Sequence, residues 1–261
     1  KLYANDPASS DNFGISVSLY GNTALIGASG DDDKGSDSGK VYVFTRAYSA
    51  DGTLMTWTEQ AKLYANDPAS SDNFGISVSL YNDTALIGAF LDDDRGTDAG
   101  SVYVFTRSPF TSPSATSVLW NEQTKLYANE PSDSSWFGRS VSLYGNTALI
   151  GSPKYVDTST TRKALTSIGA TVINLNLCEG DCDSDSDCSF GLKCFQRSGY
   201  TPVPGCSGTG VFDWDYCYKP EIGTVHVFTR SSSPSSEDES IITTWVEETK
   251  LAQNGGSATE V

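Results

Sequence analysis

Asp31-Asp32-Asp33-Lys34-Gly35-Ser36-Asp37-Ser38-Gly39 sets three adjacent carboxylates before a glycine turn and a fourth after it. Asp92-Asp93-Asp94-Arg95-Gly96-Thr97-Asp98-Ala99-Gly100 repeats the arrangement. Carboxylates held this close repel one another, and a cation between them relieves the repulsion, so calcium ligation is the chemistry the pattern suits. Asp and Gly are also ordinary turn formers, and a hydrated loop is the alternative reading. A third acidic run, Asp181, Asp183, Asp185 and Asp187, alternates along Cys178-Glu179-Gly180-Asp181-Cys182-Asp183-Ser184-Asp185-Ser186-Asp187-Cys188. It has the density of a calcium loop without the glycine and terminal glutamate of an EF-hand.

Other chemistry is poorly supplied. The single histidine, His226, has no neighbouring nucleophile or metal cluster in sequence, so a catalytic base is not expected. Paired carboxylates for glycoside hydrolysis cannot be argued from turn loops. The cysteines Cys178, Cys182, Cys188, Cys194, Cys206 and Cys217 are not spaced as paired zinc knuckles. An even number in one short stretch reads as disulfides, which form outside the cytoplasm, with the pairing left open. Asn82-Asp83-Thr84 is an N-glycosylation sequon on a turn, which fits the same compartment.

The elements that carry these groups come from repetition. Phe13-Gly14-Ile15-Ser16-Val17-Ser18-Leu19-Tyr20 returns as Phe74-Gly75-Ile76-Ser77-Val78-Ser79-Leu80-Tyr81 and Phe137-Gly138-Arg139-Ser140-Val141-Ser142-Leu143-Tyr144. Lys1-Leu2-Tyr3-Ala4-Asn5 returns at Lys62 and Lys125, and in part at Lys250. A period of about sixty residues marks a repeat array, and the long gap before Lys250 places an insertion inside the third copy. Expected units are 1–61, 62–124 and 125–249, the last carrying a cysteine-rich insertion at about 154–222, with 250–261 starting a further repeat.

Each unit reads as four strands. Ile15, Val17 and Leu19 alternate with Ser16 and Ser18, a strand with one large and one small face. Gly21-Asn22, Asn82-Asp83 and Gly145-Asn146 are two-residue turns tolerant of positive φ. Val41-Tyr42-Val43-Phe44 is apolar without a break, hence a strand covered on both faces. The fourth strand begins near Trp57, Trp120 or Trp245, each burying ~150–250 Å². The connections Arg46–Thr56, Arg107–Leu119 and Arg230–Thr244 differ in length and composition, as surface loops do. Four-stranded sheets apolar on both faces satisfy themselves by radial stacking, so the fold class expected is all-β, a β-propeller array.

Phe-Gly, then Gly27-Ala28-Ser29, Gly88-Ala89-Phe90 or Gly151-Ser152-Pro153, then a Val-Tyr-Val-Phe strand, resembles the FG-GAP repeat of integrin α-subunit propellers. The resemblance implies a β-propeller whose faces bind partners. Integrin-type repeats carry a calcium loop between their first two strands. This chain has only a two-residue turn there, too short for an ion that wants roughly six to eight oxygens. The insertion, with its Cys-Glu-Gly-Asp-Cys and Val203-Pro204-Gly205-Cys206-Ser207-Gly208 phrases, resembles a cysteine-rich module of diatom and other algal surface proteins. It has too few apolar residues for a core, so bridges at roughly 2–4 kcal/mol each must stabilise it.

A net charge of −16 and a pI near 4.3 exclude nucleic acid and anionic membranes as partners. No apolar run approaches the ~20 residues of a membrane span. The chain opens at Lys1 with neither an initiator Met nor a signal peptide, so a processed or partial chain is expected. Three blades do not close a ring of about four to eight, so either the chain is part of a longer one or copies complete each other head to tail. The function expected is a non-enzymatic extracellular recognition, adhesion or structural module, binding a protein or glycan partner through loops and the disulfide knob. The alternatives are a subunit of a self-assembling filament or wall and an accessory propeller of a secreted hydrolase.

Overall fold

The serine-alternating strands and their two-residue turns close as antiparallel hairpins, and each hairpin seeds a sheet. The computed structural model describes residues 1–49, 52, 54–108, 119–154, 166–167, 179–180, 182, 188, 192–196, 198, 200, 203, 206, 215–218, 223–234 and 241–252. In the first blade β1 (Val17–Tyr20), β2 (Thr23–Ala28), β3 (Lys40–Tyr48) and β4 (Met55–Leu63) pair in chain order. The second repeats this with β5 (Ser77–Tyr81), β6 (Thr84–Ala89), β7 (Ser101–Arg107) and β8 (Trp120–Leu126). The third opens with β9 (Ser140–Tyr144) and β10 (Thr147–Ser152) and is interrupted by the insertion.

Within the insertion β11 (Thr166–Ser167), β12 (Glu179–Gly180), β13 (Lys193–Phe195) and β14 (Tyr216–Tyr218) form a small sheet in the order β11-β12-β14-β13. Cys182 bonds Cys194, Cys188 bonds Cys217, and Cys206 is also disulfide-bonded. The buried sulfurs stand in for an apolar centre, with Leu192 packed against them. Cys178 lies outside the described residues. The third blade resumes with β15 (Thr224–Pro234) and β16 (Ile241–Ala252), which complete the order β9-β10-β15-β16. Blades and insertion separate into two compact units, Lys1–Tyr155 with Gly223–Leu251, and Val156–Ile222 with Ala252–Val261.

Two boundaries differ from the sequence reading. β15 and β16 run into the stretch read as the loop Arg230–Thr244, because Ile241-Ile242-Thr243-Thr244 is β-branched and suits a strand. Lys250–Ala252 ends β16, as Lys62 and Leu63 end β4, so the sequence unit and the sheet are out of phase. The folded blade begins at the Phe-Gly phrase.

Alternation in the apolar strands divides each sheet between two neighbours. Leu25, Val41, Val43 and Leu63 of the first blade pack against Val78, Leu80, Ile87, Phe105 and Trp120 of the second. Leu86, Val102, Val104 and Leu126 of the second meet Leu143, Ala148, Ile150 and Phe228 of the third. Trp57 and Trp245 are half-buried in the equivalent places. A β-bulge decides which face the tryptophan takes: the register shifts between Val43 and Phe44, and again between Val104 and Phe105. Ala61 and Leu63 therefore face one neighbour while Trp57 and Glu59 face the other.

The small face of the first strand lets inner strands approach closely. Ser16 Oγ donates to the Gly75 carbonyl at 2.7 Å and Ser77 Oγ to Gly138 at 2.7 Å. Ser18 and Ser79 accept from the N–H groups of Leu80 and Leu143, each at 2.9 Å. Gly75 and Gly138 sit at φ +90° and +88°, the left-handed region that aims these carbonyls and that a side chain disfavours.

Candidate functional site

The two acidic loops fold identically, and each closes on a lysine. Asp31 Oδ1 accepts the Asp33 N–H and Asp32 Oδ1 the Asp37 N–H; Asp92 and Asp93 do the same for Asp94 and Asp98. Such turns fix the loops, with Asp37 and Asp98 at φ +50° and +51°. The loop backbone then bonds the next blade, with Phe74 N–H donating to Ser38 and Phe137 N–H to Ala99, each at 3.0 Å.

In the first blade Lys40 Nζ, 1% exposed, lies 2.5 Å from Asp31, 2.9 Å from Asp33 and 3.0 Å from Asp6. Lys62 Nζ adds a second ammonium 2.5 Å from Asp6. Tyr42 donates to Asp6 and Tyr64 to Asp33, each at 2.9 Å. In the second blade Ser101 stands in place of Lys40, and the ammonium comes from Lys125 on β8. Its Nζ lies 2.6 Å from both Asp92 and Asp94 and 3.0 Å from Asp67. Tyr103 donates to Asp67 and Asp92, Ser101 to Asp92, and Tyr127 to Asp94.

The carboxylates predicted to ligate calcium thus surround the protein's own cation. A divalent ion would have to displace an ammonium that three carboxylates already hold, while Asp32, Asp93, Asp37 and Asp98 form turns instead of joining the cluster. Burial pulls each lysine toward neutrality, but hydrogen bonds to Asp31 and to Asp92 outweigh it and hold Lys40 and Lys125 far above the ordinary ammonium range. Asp33 and Asp94 are depressed, first by their lysines and then by Tyr64 and Tyr127. Burial and the Asp94 contact push Tyr127 up to about 12.

Asp72 is the exception. Buried at the foot of the second cluster, it is pushed up to about 7 by desolvation and then by the charge of Asp92. Between the ordinary value of 3.8 and about 7 the folded state holds a proton that the unfolded chain releases. Its contribution to stability is therefore complete at low pH and lost as pH rises through about 7. Asp72→Asn should flatten that loss and be more stable than the parent at pH 8 by on the order of 2 kcal/mol, with a smaller gain at about pH 5 and none at about pH 3. Thermal melts across that range would show it.

In the third blade the insertion occupies the place of the acidic loop. His226 replaces the tyrosine, with Nδ1 2.7 Å from Glu247 Oε1 and Nε2 3.0 Å from Thr224 Oγ1. Hydroxyl, imidazole and carboxylate lie in line, but Thr224 and His226 are 3% and 1% exposed, so no substrate reaches the hydroxyl. The group packs edge-on to Phe137 as a buried strut. Burial raises and then His226 lowers the Glu247 carboxyl, for a net depression. The equivalent glutamates accept the backbone N–H of Asn5, Asn66 and Asn129, so that Glu122 and Glu247 tie successive blades together and Glu59 holds the segment before the first blade. Sequence reading missed these latches and the lysines, although a Glu recurs two residues after each repeated tryptophan.

Clefts of ≈ 560 Å³ and ≈ 490 Å³ lie beside two of the latches, walled by Tyr64, Pro68 and Trp120 and by Tyr127, Pro131 and Trp245. Among the described residues Glu122 and Glu247 are the carboxylates that line them, each already bonded to an Asn N–H. Neither cleft presents the carboxylate pair a glycosidase needs. Asn82 is exposed on the β5–β6 turn at φ +53°. Asp181, Asp183, Asp185 and Asp187 lie outside the described residues. Among the described residues no helix is long and apolar enough to cross a membrane.

No curated protein matches this chain. The family model for the FG-GAP repeat matches residues 1–44, 57–105 and 120–164, which take in the first three strands of the first two blades and the opening hairpin of the third. Repeats of this kind together with disulfides are typical of extracellular proteins. The three sheets are propeller blades, and the chain belongs to the FG-GAP repeat family.

Proposed function

We propose that this protein is an extracellular, non-enzymatic recognition or adhesion module that presents its loops and disulfide insertion to a protein or glycan partner. The observation that carries the reading is where the ionisable groups have gone. Lys125, through Asp67 of the segment that follows the first blade, and the Glu122 and Glu247 latches hold one blade against the next, while Lys40 gathers Asp6, Asp31 and Asp33 at the first blade. A scaffold held this way keeps its loops in fixed register, which serves binding and leaves no acid–base pair for turnover. Asn82 carries an N-linked glycan in such a setting, read as a mass loss when the native protein is deglycosylated.

The test uses the full chain, with extracellular matrix polysaccharides and surface proteins immobilised separately. Saturable binding without release of reducing sugar or peptide is expected. Turnover of any of these, abolished in a single carboxylate variant, would replace the reading with a hydrolase.

A second reading, head-to-tail self-assembly, is favoured by one observation. Val17 and Leu19 are 68% and 61% exposed where Val78 and Leu80 are 8% and 5%. On the third blade Leu149, Val225 and Leu251 are likewise open where their counterparts are buried. These are the two halves of the interface made twice within the array. Concentration-dependent association in sedimentation velocity, suppressed by Leu19→Lys, would support assembly; a monomer at every concentration would dismiss it.

A further inference from the structure

At two positions the third copy departs from a residue the other two share: Asn12 and Asn73 become Trp136, and Ile15 and Ile76 become Arg139. Beside them lie two positions that differ in every copy, Ser29, Phe90 and Pro153, and Gly30, Leu91 and Lys154. Far apart in sequence, Phe90, Trp136, Arg139 and Lys154 form one continuous row. The Arg139 guanidinium lies 5.1 Å from the Phe90 ring centre, Phe90 meets Trp136 edge-on at 5.5 Å, and Lys154 Nζ lies 3.3 Å from the Trp136 ring centre.

Trp136, Arg139 and Lys154 work against stability or against the charge pattern around them. Trp136 sits at φ +58°, where Asn12 and Asn73 sit without strain at +59° and +58° and a bulky side chain does not. Its indole Nε1–H is buried without an acceptor, and so is the Ser132 hydroxyl on the same loop. Among the described residues neither Arg139 nor Lys154 pairs with a carboxylate, in a chain with 33 acidic and 17 basic residues; each instead lies over a ring. Ring packing between Phe90 and Trp136 accounts for the two aromatics but not for the buried indole N–H or the left-handed backbone, since the first and second blades hold the same position with asparagine.

We infer that Phe90, Trp136, Arg139 and Lys154 form a binding site for an anionic segment of a glycan, carrying sulfate ester or uronate groups. A guanidinium and an ammonium supply donors for anionic oxygens, and the rings supply the flat apolar wall that sugar C–H faces pack against. An extended acidic peptide is a poorer match, because it needs free backbone partners. The N–H groups of Arg139 and Lys154 already donate to the carbonyls of Trp136 and Ser135. The inference rests on the recognition reading above and names the ligand class.

The test measures binding of the full chain to dextran sulfate, polygalacturonate, neutral dextran and polyglutamate at low and high salt, alongside Trp136→Asn, Arg139→Ile and Lys154→Gly. Binding to one or both anionic polysaccharides is expected, weakening with salt, and which one binds tells sulfate ester from uronate. Each variant should lose at least about tenfold in affinity, equivalent to about 1.4 kcal/mol. Trp136→Asn restores the repeat residue, so its Tm should rise by about 2–4 °C while binding falls. Lys1→Ala, an exposed cation elsewhere, should bind as the parent does. Equal binding by the three variants, equal binding to neutral dextran, or tighter binding to polyglutamate would each overturn the assignment. Failure here with saturable binding to another immobilised partner would leave the recognition reading standing; failure with both would remove it as well.

Discussion

Lys125→Met is expected to destabilise the protein by about 3–5 kcal/mol at neutral pH, because it removes the ammonium and leaves the buried Asp92 carboxylate without its cation. The magnitude follows from burial of that pair, whose side chains are 10% and 2% exposed, whereas Asp67 and Asp94, 51% and 49% exposed, are screened by solvent and add little. Lys62→Met should cost about 1 kcal/mol or less, since Lys62 is 27% exposed and Lys40 still holds Asp6. The pH dependence has a definite sign. Lys125 holds Asp94 below the ordinary carboxylate range, so the stability from that pairing is present above about pH 4 and is lost as pH falls further. Without the lysine the carboxylates protonate more easily, so the deficit of the variant should shrink between pH 7 and pH 3. Urea denaturation at the two values measures it, and a deficit independent of pH would mean that lost packing, not charge, is the cause.

Gly88→Ala should cost about 3 kcal/mol or more by overpacking a junction with no free volume. A Cβ there would stand 2.0 Å from the Gly138 carbonyl oxygen of the next blade and 2.3 Å from Ser77 Oγ. The Gly138 backbone cannot turn aside as the Ser77 hydroxyl can, so the blades must separate and the Ser77 to Gly138 hydrogen bond must lengthen. Gly27→Ala should behave alike, with the Gly75 oxygen at 2.0 Å. Gly151→Ala is the internal control, since the third blade places no neighbouring carbonyl there and only Ser140 Oγ, at 2.3 Å, must rotate. Comparable denaturation midpoints for all three would mean that the close approach of the inner strands is not what this glycine serves.

The repeat explains why both effects are strong. Each blade is a thin sheet with little core of its own, and its neighbours supply the contacts that bury it. A charge or a methyl group placed at a junction therefore acts on two blades at once, whereas the same change on an outer loop acts on none. The same logic makes the Phe90, Trp136, Arg139 and Lys154 row conspicuous, since it places backbone strain, a buried unbonded indole N–H and two cations at a junction that the first two blades close with Ser29, Asn73, Ile76 and Leu91.

Much of the fold was legible in the chain because it is written in short-range periodicity. The Ser16, Ser18 alternation, the Gly-Asn turns and the unbroken Val41-Tyr42-Val43-Phe44 run are local steric facts, and each became the strand or turn it indicates. Their threefold recurrence implies equivalent sheets, and sheets apolar on both sides must stack. The site was far less legible. The acidic loops stood out as a ligand set, but whether a metal or a lysine fills them depends on side chains that arrive from elsewhere: Asp6 precedes the loop by a full hairpin, and Lys125 follows its own loop by two strands.

What the sequence determined alone was the repeating unit, its strands and the need for neighbours, because backbone sterics and burial periodicity act between residues close in the chain. What only the tertiary structure decided was which side chains meet. A single bulged residue on β4 and on β8, Gln60 and Gln123, turns Trp57, Glu59, Trp120 and Glu122 to the face opposite the one that strict alternation assigns. The side-chain period of a strand is two, so one extra residue reverses everything beyond it, and that reversal brings Glu59 to Asn5 of the opening segment and Glu122 to Asn66 at the end of the neighbouring blade.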